Sequence, residues 1–237
     1  MMTIIAEYWR NYLYSDGFQF TGLAITIWLL VFSIVLGFLI AIPLAVARTS
    51  ENTLISRPVW MFTYVFRGTP LYIQLLMCYT GIYSLKFVHN SFVLDAFFRD
   101  AMNCTLLAFA LNEAAYATEI FAGAIRATSA GEVEAGLAYG MSRFKLYMRV
   151  ILPSALRRSL PSYSNEVILM LHGTTLAFTA TIPDILKVTR DVNSATYLSF
   201  QAYSIAAVMY ATIVFALIFG FRKLENRWLS FLAPRGK

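Results

Sequence analysis

Four ionisable side chains stand where this chain can least tolerate them. Arg67, Glu113, Glu119 and Glu166 each fall inside a run otherwise dominated by Leu, Ile, Val, Phe, Tyr and Ala. A charge inside hydrocarbon costs on the order of several kcal/mol unless it is paired or borders a wet cavity. The three carboxylates can neutralise Arg67 and hold helices together, or they can line a path and meet a cation in transit. Asn112, Tyr116, Glu119 and Gly123 recur at i, i+4, i+7 and i+11 and therefore share one helical stripe. Glu113 lies about 120° from Glu119 on the same helix, so the two acids do not face one cleft. Further along, "HGTT" places His172, Thr174 and Thr175 at the middle of another apolar run. A Gly-Thr-Thr at that depth can expose polar groups to a path. His172 reads either as a satisfied core histidine or as a ligand.

The elements that must hold these residues follow from composition. Of 237 residues 59% are hydrophobic and 14% charged, and the mean hydropathy is +0.62. A soluble domain of this size needs more charge to cover its surface. Several apolar runs exceed the roughly 18–20 residues that span a bilayer core. The expectation is an all-α membrane protein of one domain, 1–237, without repeats, low-complexity tracts or linkers. Five spans are expected: about 20–47, 57–85 interrupted by "RGTP", 104–127 after a short amphipathic piece near 92–102, 155–177, and 200–221. In the second, Gly68 and Pro70 break the helix and free backbone groups that neighbours or water must satisfy. The N-terminal "MMTIIAEYWRNYLYSDG" has no cationic leader and no small-residue cleavage site; it reads as an interfacial amphipathic helix rather than a cleaved signal peptide.

The net charge of +6 marks loops rather than nucleic acid. Arg48, Arg57, Arg126, Arg143, Lys145, Arg149, Arg157, Arg158, Arg222, Lys223, Arg227, Arg235 and Lys237 collect on one side. Arg10, Lys86, Arg99, Lys187 and Arg190 are spread among acids on the other. This asymmetry puts the N-terminus outside (periplasmic) and the C-terminus in the cytoplasm. Cys78 and Cys104 sit in apolar runs as buried free thiols. With neither a second cysteine pair nor a histidine cluster, no metal site is expected.

The segment "GEVEAGLAYGMSRFKLYMRVILP", residues 131–153, departs from the apolar rule. Its residues 132–139 favour a helix, Gly140 is a stop, and Pro153 blocks continuation and starts the fourth span. On composition alone it is an ordinary interfacial helix. Its spacing is more specific: Glu134-Ala135-Gly136, then Gly140, then Val150-x-Leu152-Pro153 resembles the cytoplasmic-loop signature of the permease subunits of ATP-binding-cassette importers. Gly136 stands where that family usually has Ala, and Val150 where it has Ile. "FRGTPLYIQLL" at 66–76, "AYATEIFAGAIRA" at 115–127, "NEVILMLHGTTLAFTATIPDIL" at 165–186 and "DVNSATY" at 191–197 are similar to the polar amino-acid permeases of this family, those for histidine, lysine, arginine and ornithine above all.

The resemblance implies the type I importer permease fold and residence in a bacterial inner membrane. It implies a second similar permease, two ATP-binding subunits and a periplasmic amino-acid-binding protein. ATP and Mg would belong to the partner ATPase; no cofactor is implied on this chain. The helix at about 131–140 becomes a coupling helix, with Glu132, Glu134, Ala135, Gly136, Gly140 and Pro153 in the coupling segment. Glu119 matches the family's third-span acid and becomes either a partner for Arg67 or a substrate contact. A basic amino acid needs an opposing charge in a low-dielectric path, which turns attention to Glu113 and Glu166, with Tyr116 and Thr174 as polar lining. The chain contains no G-x-x-x-x-G-K-[ST] loop, no nucleophile elbow and no H-E-x-x-H, so it is not read as an enzyme. Two rivals remain: an ion-coupled amino-acid carrier, which would also bury acids at mid-membrane, and a non-transporting membrane scaffold.

Overall fold

Apolar runs without turn residues leave their backbones one economical way to satisfy their hydrogen bonds, and the chain folds into helices. The computed structural model describes residues 2–229. Arg235 and Lys237, counted above among the inner cations, lie outside the described residues. The helices are α1 (Met2–Leu13), α2 (Gly22–Arg48), α3 (Thr53–Gly68), α4 (Leu71–Leu76), α5 (Lys86–His89), α6 (Phe92–Phe98), α7 (Ala101–Arg126), α8 (Ala130–Ala138), α9 (Arg143–Leu146), α10 (Leu152–Thr174), α11 (Ile185–Thr196) and α12 (Ser199–Trp228). Single wider π turns extend α4 over Met77–Ile82 and join α9 to α10 over Tyr147–Ile151; a tighter 3-10 segment, Thr175–Ala180, follows α10.

Helix α7 is the hub. It lies along α2 and packs against α10, α3 and α4, while α12 closes on α10 and α11. The α2–α7 contact is made by small residues. A side chain at Gly37 would collide with that of Glu113 and come 3.2 Å from the Ala110 carbonyl. Ala41 and Ala45 of α2 and Ala110, Ala114 and Ala117 of α7 are buried. Small residues let backbones approach closely where lipid offers no hydrophobic drive between helices. One core, with Leu29, Phe109, Leu171 and Ile185, fills the end near α11. A second, with Phe121, Ile125, Leu146 and Tyr163, fills the end near α8. At the first end, Ile4 and Tyr12 of α1 clamp onto Val188, Val192, Ala202 and Ile205.

Helices α2 and α12 are long and apolar enough to cross a bilayer on those grounds alone. The other expected spans are mixed. Helices α7 and α10 have the length, at 26 and 23 residues, but carry acids and bases. The second expected span is divided: α3 stops at Gly68, Thr69 and Pro70 are extended, and α4 restarts at Leu71. Gln74 satisfies the backbone freed by that break, donating from Nε2 to the carbonyls of Phe66 (2.6 Å) and Thr69 (3.0 Å). Cys78 and Cys104 are buried free thiols, and Cys104 donates to the Phe98 carbonyl.

Pro153 lies in the first turn of α10, as expected of a residue that starts this helix. It does not block the helix before it, because the rod is continuous from Arg143. The π turn just upstream accommodates the missing N–H, because its i→i+5 pattern has already shifted the ladder where proline would break it.

Candidate functional site

Two polar cavities flank α7. The first, about 520 Å³, is a cleft between the end of α2, α3 and α7, with Arg48, Thr63, Arg67 and Glu119 among its walls. Glu119 accepts from Arg48 Nε at 2.8 Å and from the Thr63 hydroxyl at 2.7 Å. This corrects the expected pairing of Glu119 with Arg67. Arg48 ends α2 directly across the close α2–α7 seam, whereas Arg67 precedes the helix break and lays its guanidinium 5.3 Å from the centre of the Tyr116 ring. Such a contact stabilises a cation without consuming its charge. Two guanidiniums thus share the cleft with one carboxylate. Sequence reasoning missed Arg48 because its place at the end of an apolar run reads as a loop cation.

The second cavity, about 300 Å³, is walled by Leu71, Asn112, Tyr116, Glu166, Met170 and Gly173, among others. Glu166 is buried within the chain yet borders this space. Asn112 donates from Nδ2 to Gln74 Oε1 at 3.1 Å and to the Phe66 carbonyl at 3.3 Å, and the Tyr116 hydroxyl donates to the Arg67 carbonyl at 3.4 Å. The stripe Asn112–Tyr116–Glu119 therefore faces the broken helix α3–α4 along its length. Tyr116 walls the second cavity, and its ring lies under the Arg67 guanidinium that walls the first.

Glu113 takes the other face of α7, as its helical angle requires, and borders neither cavity. It is fully enclosed against Gly37, with Tyr163 and Glu166 as polar neighbours. Neither carboxyl oxygen has a hydrogen-bond partner. His172 is exposed on the chain's surface rather than in its core. Thr174 is buried and donates to the Leu171 carbonyl (2.7 Å); Thr175 donates to the His172 carbonyl (2.6 Å). Both hydroxyls therefore serve their own helix, and of this quartet Gly173 is the one that walls the second cavity.

At the far end, α8 forms the expected short exposed helix. Ser129 Oγ caps its first turn by accepting from the Glu132 N–H. Gly140 closes it at φ +72°. Its N–H reaches the Leu137 carbonyl, and the Met141 N–H reaches that of Gly136, the paired pattern that a left-handed residue makes possible. Gly136 is buried against Leu146, where any β-carbon would collide with that side chain. Glu134, Ala135, Leu137 and Tyr139 are exposed. Glu132 instead turns inward. It accepts from the Ser154 hydroxyl at 3.2 Å and lies 3.6 Å from Arg158 Nη1. Arg158 also donates to Thr128 Oγ1 (2.7 Å), to Ser154 Oγ (2.7 Å) and to the Ala124 carbonyl. One guanidinium thus ties α8 and the end of α7 to α10, the helix that carries Glu166.

At the opposite end, Asp184 caps α11 by accepting from the Lys187 N–H (2.8 Å) and receives the Tyr210 hydroxyl (3.3 Å). It is fully enclosed, and burial pushes its carboxyl up to about 7.

Residues 33–230 match the family model described as binding-protein-dependent transport system inner membrane component. The histidine/lysine/arginine/ornithine transport system permease HisM of Salmonella typhimurium is 58% identical over 99% of this chain and 100% of its own length. HisM of Escherichia coli K12 is 57% identical over 99% and 98%, and the octopine permease OccM of Rhizobium radiobacter 39% identical over 86% and 83%. Among solved structures, an amino acid ABC transporter determined with histidines superposes with a TM-score of 0.79 at 25% identity, over 96% of this chain and 98% of that one. The methionine transporter MetNI superposes at 0.70 and 16% identity, over 86% and 92%, a likeness of fold.

Proposed function

This chain belongs to the inner-membrane components of binding-protein-dependent transport systems, and from that premise we propose that it is a permease subunit of a bacterial ABC importer for histidine, arginine, lysine and ornithine. The observation that carries the reading is the 58% identity, end to end, with a permease named for those four substrates. Such a subunit carries no ATPase of its own; hydrolysis is the task of a partner.

In this reading five spans cross the membrane: α2, the divided α3–α4 with its π turn, α7, α10 and α12. The N-terminus is outside and the C-terminus in the cytoplasm. The cations that gather beside α8, among them Arg126, Arg143, Lys145, Arg149, Arg157 and Arg158, support that orientation. A second, similar permease supplies the other half of the path, two ATP-binding subunits with ATP and Mg drive it, and a periplasmic protein delivers the amino acid. Helix α8 seats in an ATP-binding subunit through Glu134, Ala135 and the neighbouring exposed face. Gly136 and Gly140 shape it, and Glu132 holds it to α10.

The substrate's two ends suit the two cavities. Arg67, free of a carboxylate partner among the described residues, offers a cation to the substrate's carboxylate. Glu166, with Asn112 and Tyr116, offers an anion and polar groups to its cationic side chain. Burial makes the Glu166 charge count for more than it would in water. The reading is tested by affinity purification of this chain from cells expressing the whole system. A stoichiometric ATP-binding subunit and a second permease are expected; an ion-coupled carrier would purify without either.

A further inference from the structure

Helix α1 has two apolar faces, and the fold uses one. Ile4 and Tyr12 are buried against α11 and α12. Ile5, Trp9 and Leu13 remain exposed; with Ile205, Val208 and Met209 of α12 they wall an apolar groove of about 280 Å³. The groove does not end at α12's first turns. Val208, Thr212, Phe215 and Phe219 follow one another at i, i+4, i+7 and i+11, and all four are exposed. This stripe runs down α12, which is apolar enough to cross a bilayer unaided, so the groove opens directly onto a surface suited to hydrocarbon.

Its other edge is polar. The Arg10 guanidinium stands 5.4 Å from the centre of the Trp9 ring and has no carboxylate partner among the described residues. Trp9 also meets Tyr14 edge to face at 6.2 Å. Tryptophan and tyrosine favour the headgroup level of a membrane, and an arginine there matches a phosphate in charge and in fork geometry. An amphipathic helix with this arrangement lies in the interface plane.

We propose that the α1–α12 groove holds one acyl chain of a membrane glycerophospholipid whose phosphate rests on Arg10. The lipid completes the packing of α1 and thereby steadies the α1–α11–α12 clamp at the outer end. The proposal rests on the membrane orientation proposed above and adds a specific lipid site to it.

The test uses the complete transporter, purified in mild detergent and examined by native mass spectrometry. Wild-type complexes are expected to retain phospholipid. Val208→Trp fills the groove from its exposed rim and is expected to lower retention about tenfold, and Arg10→Gln to weaken added phosphatidylglycerol by a similar factor. A photoreactive benzoylphenylalanine at position 9 is expected to cross-link lipid. Equal retention by wild type and Val208→Trp overturns the proposal, as does a cross-link from position 9 to the second permease instead of lipid. If Val208→Trp fails to assemble, the cross-link decides alone. Absence of an ATP-binding subunit from the wild-type complex would count against the transport reading and leave lipid occupancy readable.

Discussion

At Glu119, chain position and spatial position give different partners. The cation that the sequence places inside an apolar run is Arg67, yet Arg48, 71 residues from Glu119, makes the 2.8 Å contact. Glu113 and Glu166 separate in a similar way: one is sealed against Gly37, the other opens on a cavity. Glu166→Gln is therefore expected to lower arginine uptake by more than tenfold, about 1.4 kcal/mol or more, with the complex still assembled. Glu113→Gln is expected to leave uptake near wild type, because its carboxyl borders neither cavity. Radiolabelled uptake into proteoliposomes separates the two; equal loss in both variants would return Glu113 to the path. Asp184 supplies a pH dependence. Its carboxyl titrates near 7 when folded, against an ordinary 3.8. Between those values the folded chain holds more protons than the unfolded one, so stability falls as pH rises from about 4 to 7 and then levels off. Asp184→Asn keeps the cap and removes the titration, so thermal melts of the detergent-solubilised complex should lose that slope. The stripe Asn112–Tyr116–Glu119 was legible in the sequence because helical spacing is local. Arg48 and Gln74 were not, since their roles depend on which helix α7 approaches and on carbonyls that exist only once α3 breaks.

Among the elements, α8 was the most legible and its attachment the least. A run of helix formers and the stop at Gly140 are local signals, and the stop has its expected counterpart in the hydrogen bonds. The tie through Glu132, Ser154, Thr128 and Arg158 joins three helices and leaves no mark on spacing. Pro153 was misread in part, for a related reason: a proline blocks an ordinary turn, and the upstream π turn that accommodates it has no simple residue code. Two substitutions separate docking from transmission. Glu134→Lys changes an exposed charge and is expected to release the ATP-binding subunit or uncouple its hydrolysis while membrane insertion persists. Arg158→Ala cuts α8 from α10 and α7; it is expected to keep the ATP-binding subunit bound yet abolish the stimulation of hydrolysis by arginine-loaded binding protein. Arg158→Lys, which keeps the charge but not the fork of donors, should restore only part of it. Normal stimulated hydrolysis in Arg158→Ala would remove the tie from the mechanism.

On the scale of the whole molecule, composition announced a helical membrane protein, and hydropathy located α2 and α12. The other expected spans are harder to read because they are polar in part: α3–α4 is broken at Gly68–Pro70, and α7 and α10 carry the buried acids Glu113 and Glu166. A path for charged amino acids requires such interruptions, so the same residues that blur the hydropathy mark the cavities. In the proposed reading these cavities pass basic amino acids when α8 is driven by ATP on a partner. The most direct measurement is uptake of labelled arginine by proteoliposomes holding the complete transporter, with binding protein outside and ATP with Mg inside. Uptake is expected to require both, to be competed by histidine, lysine and ornithine, and to be lost in Glu166→Gln. Uptake that persists without ATP and instead follows an ion gradient would contradict that reading.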